Sequence, residues 1–257
     1  MRLGNFIYKR STLVPLLVAA VLVAGGCGSD SEVRRKEAKA SEQFAVAYLQ
    51  EKQPAKALVE IQKAEALDPK SAEIKNTYAL AYWSRREYAL AEKKFLEAVE
   101  LDPAFSEAWN NLGAFYLDQA RYENAASAFK KALENVYYST SERALTNLGW
   151  AYFKLGRLEE AKAKLSEAAE IAPTFALAQK DLGMVLQEMG DHRGAIARFD
   201  RTIKLYSLDQ ETFFQKGVSQ VKLGDKAGAS ASFEEAWKLG PTTDIGKSAR
   251  NYLDILK

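Results

Sequence analysis

Apolar residues follow two patterns along this chain. Residues 13–24 are continuously apolar except for Pro15; Arg2, Lys9 and Arg10 precede them, and Gly25, Gly26 and Cys27 follow. From residue 38 the pattern becomes periodic. Asp-Pro follows an apolar residue at Leu67-Asp68-Pro69 and again 34 residues later at Leu101-Asp102-Pro103, and Pro173 and Pro241 mark two further stops. With each proline at position 32, units start at residues 38, 72, 142 and 210, and two further units that lack the proline start at 106 and 176. Position 8 is then always small: Ala45, Ala79, Gly113, Gly149, Gly183, Gly217. Position 20 is alanine throughout, at Ala57, Ala91, Ala125, Ala161, Ala195 and Ala229. Position 24 is always bulky and apolar, from Ile61 through Phe95, Phe129, Leu165 and Phe199 to Phe233.

That periodicity predicts a pair of antiparallel helices in every unit. Small residues at positions 8 and 20 let two helix backbones approach, and position 24 fills the space beside them. Gly156, Gly190 and Gly224 end the first helices of units four to six, where a left-handed residue is needed. The prolines stop the second helices. No unit can bury its apolar face alone, so neighbours must stack. The last residues, 244–257, carry Ile245, Ala249, Tyr252 and Ile255 at helical spacing and read as a capping helix.

The pattern resembles the tetratricopeptide repeat over residues 38–243. The resemblance implies an all-α tetratricopeptide-repeat solenoid: six helix-turn-helix repeats in a right-handed superhelix, closed by the C-terminal cap. In that family, first-helix positions such as 5, 9 and 12 line a concave face. The groove residues so implied are Asn76, Leu80, Trp83, Asn110, Leu117, Trp150, Phe153 and Met184. Exposed apolar side chains in such a stripe suit binding of an apolar or amphipathic peptide. Trp109, Leu112, Tyr116, Leu145, Leu148 and Tyr152, at positions 4, 7 and 11, are expected to be core. The family's clamp for chaperone tails pairs Lys at position 5 with Asn at position 9. No repeat here has both, which argues against that partner class.

Composition narrows the function further. The formal charge is +2 over 257 residues, but residues 1–26 hold three basic side chains and no acidic one. Without them 33 basic face 34 acidic side chains, a net −1 that does not suit nucleic-acid binding. The one histidine, His192, and the one cysteine, Cys27, cannot make up a metal site of the usual kind. No glycine-rich phosphate loop follows a strand. The expectation is a chain that is not an enzyme, with no metal, no cofactor beyond a covalent lipid and no small-molecule substrate.

The N-terminal segment has the parts of a secretory signal. Its apolar run is shorter than the roughly 20 residues that span a bilayer. Small residues before a cysteine resemble the lipobox of bacterial lipoproteins, with Ala24 where leucine is commoner. That resemblance implies removal of residues 1–26 and attachment of diacylglycerol and a palmitate-type acyl chain at Cys27. Residues 27–37 then form a lipid-anchored tether ahead of the repeats. A second junction adds detail: Asn135-x-x-Tyr138-x-Thr140 joins repeats three and four, whose starts lie 36 residues apart. Together with six repeats and the lipobox, it resembles the pilotin lipoproteins of type IV pili. Val136 and Ser141 stand where members often carry prolines. The resemblance implies a lipid-anchored protein on the periplasmic face of the outer membrane that binds secretin subunits and assists their assembly. Gly28 is not the aspartate that retains lipoproteins in the inner membrane. The alternative is a periplasmic scaffold for cell-wall enzymes or outer-membrane protein assembly.

Overall fold

The computed structural model describes residues 30–257, which form thirteen α-helices and no strand. The helices are α1 (Asp30–Gln50), α2 (Pro54–Leu67), α3 (Ala72–Ser84), α4 (Tyr88–Leu101), α5 (Ser106–Asp118), α6 (Tyr122–Leu133), α7 (Ser141–Lys154), α8 (Leu158–Ile171), α9 (Ala176–Glu188), α10 (His192–Leu205), α11 (Gln210–Lys222), α12 (Lys226–Leu239) and α13 (Asp244–Leu256). The chain divides into two compact units, Met1–Arg121 and Tyr122–Lys257, and the division falls between α5 and α6. In the first unit α1 packs on α2 and α3 on α4; in the second α7 packs on α8, α9 on α10 and α11 on α12.

Small and bulky positions behave as their spacing requires. The six alanines of position 20 and the six bulky residues of position 24 are all fully buried. At position 8 a side chain has no room in unit two. A Cβ on Gly149 would stand 2.6 Å from Leu165 Cγ, one on Gly183 2.6 Å from Phe199 Cε1, and one on Gly217 2.7 Å from Phe233 Cε1. The close approach of α7 to α8, α9 to α10 and α11 to α12 is therefore set by a glycine opposite a large residue.

Every first helix ends the same way. Position 15 has positive φ in all six repeats: Lys52 (58°), Arg86 (64°), Ala120 (55°), Gly156 (73°), Gly190 (82°) and Gly224 (76°). The following amide then donates back to the carbonyl five residues earlier, as in Gln53 N to Tyr48 O at 2.8 Å and Asp191 N to Leu186 O at 2.9 Å. Only three of these positions are glycine. No atom lies within 4 Å of a Cβ built on Gly156, Gly190 or Gly224, so backbone strain alone separates glycine from other residues there. Lys52→Gly, Arg86→Gly and Ala120→Gly should each stabilise the fold by up to about 1 kcal/mol, and Gly190→Ala should destabilise it by a similar amount. Urea melts of the four variants check both signs.

Two features differ from the sequence reading. Residues 30–37, expected as an extended tether, belong to α1, so they advance about 1.5 Å per residue instead of about 3.3 Å. In α13, Ile255 is 79% exposed and is not part of the capping face. That face is formed by Ala249, Leu253, Tyr252 and Leu256, packed on Phe233, Ala229 and Ala236. Tyr252 stacks on Phe233 with centroids 4.6 Å apart. Thr243 caps α13 by accepting from Gly246 N at 3.0 Å. Ile255 and Leu256 are adjacent, 100° apart around the helix, and the sequence pattern favoured the wrong one.

Candidate interaction surface

In the first unit the expected groove residues are mostly packed. Trp83, on α3, is 6% exposed. Its ring meets Phe115 edge-on at 5.6 Å and Phe95 at 6.1 Å, and its Nε1 donates to Asp118 Oδ2 at 3.0 Å. Leu80 is buried beside it, and Asn76 is buried while accepting from Asn111 Nδ2 at 3.1 Å. Asn110 and Leu117, on α5, are half-buried. Trp83, Leu80 and Asn76 thus hold α3 to its neighbours and do not offer an open surface. Trp109 is the reverse correction. Expected in the core, it is half-buried and donates its Nε1 to Pro103 O at 2.9 Å.

The second unit keeps its stripe partly open. Trp150 and Phe153, on α7, are half-buried, with centroids 5.0 Å apart, and Lys154 Nζ lies 4.7 Å above the Trp150 ring. Met184, on α9, is also half-buried. Lys180, at position 5 of the same helix, meets Asp209 at 3.0 Å and Glu211 at 3.1 Å. Burial pulls the Lys180 ammonium down, but those two carboxylates outweigh it and hold its pKa above the usual lysine value. Half-buried aromatic and thioether side chains and a doubly paired lysine thus stand on the first helices α7 and α9.

One position-5 residue outside the expected groove set is acidic. Glu42, at position 5 of repeat one and within α1, accepts from Thr77 Oγ1 at 2.8 Å. Burial raises its pKa, the Thr77 hydrogen bond lowers it, and the charges of Glu73 and Glu107 raise it further. Because the folded-state pKa is raised, ionised Glu42 costs stability above that pKa, and the cost disappears once the carboxyl is protonated in both states. Glu42→Gln should therefore raise the melting temperature near about pH 7 and leave it unchanged near about pH 3. Thermal scans at the two pH values measure the difference.

Successive helix hairpins with small residues where the two helices meet define a helical-repeat fold. Three tetratricopeptide-repeat profiles match residues 72–105, 105–174 and 180–242. Together they cover more than half of the chain, which belongs to the tetratricopeptide-repeat family. Two solved structures are similar over nearly the whole of their own length. Pseudomonas aeruginosa PilF superposes with a TM-score of 0.78 at 20% identity, over 85% of this chain and 99% of that one. PilW, a widely conserved type IV pilus biogenesis factor, superposes with a TM-score of 0.76 at 22% identity, over 87% and 100%. Among curated sequences, the Hsp70-Hsp90 organizing protein of Triticum aestivum is 28% identical over 96 residues. Those residues are 37% of this chain and 16% of that protein, so the chain spans a small part of the curated relative's length. Cys27 and Gly28 lie outside the described residues. Among the described residues no helix is long and apolar enough to cross a membrane.

Proposed function

We propose that this chain is a pilotin, a non-enzymatic adaptor that binds secretin subunits of a type IV pilus and assists their delivery to the outer membrane and their assembly. The observation that carries the reading is the fold likeness to PilF and PilW over nearly the whole of both. The N-terminal sequence supports it, because Cys27 after a short apolar run suits lipid attachment and Gly28 suits an outer-membrane destination. Each buried methylene of an acyl chain contributes about 0.8 kcal/mol, and more than one chain is needed for stable anchoring, a condition a triacylated cysteine meets. Trp150, Phe153 and Met184 would take an apolar or amphipathic segment of the subunit.

The test is deletion of the gene followed by fractionation of the cell envelope. Secretin should then remain monomeric or miss the outer membrane, and the wild-type chain should restore the assembled ring. A Cys27→Ser chain should leave the outer-membrane fraction and restore less. Normal secretin rings in the deletion strain would refute the reading.

A further inference from the structure

We infer that a cleft between α8, α9 and α10 binds an acidic, leucine-bearing segment of a partner polypeptide, at a surface separate from the α7 aromatic pair. The cleft holds about 350 Å³, a size that admits a few side chains. Lys162 of α8 and Arg198 and Arg201 of α10 line it together, above a floor that includes Leu182 and Leu186.

The arginines are held by neutral groups. Arg198 Nη1 donates to Gln179 Oε1 at 3.1 Å, and that glutamine is fully buried. Arg201 Nε donates to Pro173 O at 3.2 Å, and the same carbonyl accepts from Gln179 Nε2 at 3.4 Å. Each guanidinium has five N–H donors, so most remain for a ligand, and half-buried Arg198 is oriented by a buried glutamine before anything binds. Among the described residues, these neutral contacts and no carboxylate hold both arginines. The one acid of the cleft, Asp191, is turned to the helix, where Oδ1 accepts from Gly194 N at 2.9 Å. Three cations with one occupied acid leave net positive charge in a concavity. Carboxylates match guanidinium forks in geometry and charge, and the apolar floor takes the side chain between them. Lys162 and Arg201 are exposed at the rim and Arg198 is half-buried within the cleft, so an inserted carboxylate side chain reaches all three where a flat bilayer surface reaches the rim pair. The inference is independent of which protein the aromatic surface binds, since its probe contains no secretin sequence.

The experiment titrates the full chain into a fluorescent, end-capped peptide of alternating Glu and Leu, with a Gln-Leu peptide of equal length as the neutral counterpart. The Glu peptide should bind about tenfold or more tightly than the Gln peptide and weaken as salt is raised. Lys162→Gln with Arg201→Gln changes two exposed side chains, so melting should hold while Glu-peptide affinity falls about tenfold or more. Equal affinity for the two peptides, no binding of either, or undiminished binding by the double variant would overturn the inference. Sedimentation with phosphatidylglycerol vesicles that the double substitution abolishes would replace it with a membrane contact.

Discussion

Trp83→Ala should destabilise the fold by about 3–5 kcal/mol, while Trp150→Ala should cost under about 1 kcal/mol. Both residues are tryptophans in the same stretch of a first helix, so the contrast isolates packing. Trp83 fills the junction of α3, α4 and α5, wedged against Phe95 and Phe115, which are themselves fully buried. Removing the indole leaves a cavity bounded by two rings that cannot collapse into it without moving a helix. It also leaves Asp118 without the Nε1 donor. Trp83→Phe keeps most of the volume and should lose roughly 0.5–1.5 kcal/mol for that hydrogen bond plus a smaller packing loss. Trp150 has an open side, a Phe153 neighbour and Lys154 above it, so its truncation removes contacts without sealing off a void. Partner binding should report the opposite order, with Trp150→Ala losing more than the melting change explains. Equal melting losses for the two alanine variants would show that Trp150 is core as well.

The contrast also shows what the repeat pattern could and could not convey. Positions 8, 20 and 24 were legible because they meet within one helix pair, where 34-residue spacing fixes both partners. Position 12 was not, because its surroundings come from the next repeat. Trp83 is buried because Phe115, from the following first helix, stands against it. Phe153 at the same position remains half-buried, and Leu117 also. Trp109 misled in the other direction: position 4 is core in Leu145, yet the Trp109 indole reaches the Pro103 carbonyl at the surface. The cationic cleft had a faint signature. Arg198 and Arg201 share one face of α10, and neither has an acidic residue three or four positions away. Gln179, which fixes one of them, belongs to another helix, and no local pattern could indicate it. The start of α1 was missed because its first turns, Asp-Ser-Glu-Val-Arg-Arg-Lys-Glu, lack the apolar stripe that marks a packed helix.

Gly149→Leu should cost about 1–3 kcal/mol, although a leucine ordinarily favours a helix over glycine by nearly 1 kcal/mol. The sign reverses because of what faces the glycine. A Cβ there would stand 2.6 Å from Leu165 Cγ and 3.2 Å from the Ala161 carbonyl oxygen, so relief requires both a side-chain shift and a helix shift. A methyl alone can be housed at this position, since Ala79 and Phe95 are both fully buried in repeat two. Gly149→Ala should therefore fall between wild type and Gly149→Leu. Leu165→Ala alone should lose about 2–5 kcal/mol by leaving a cavity. Combined with Gly149→Leu, the new side chain enters that space, and the double variant should be at least about 1 kcal/mol more stable than the sum of the single losses requires. Urea denaturation of the four proteins yields the coupling directly. Additive losses would mean that Gly149 and Leu165 do not compete for one volume, and the account of position 8 would fail.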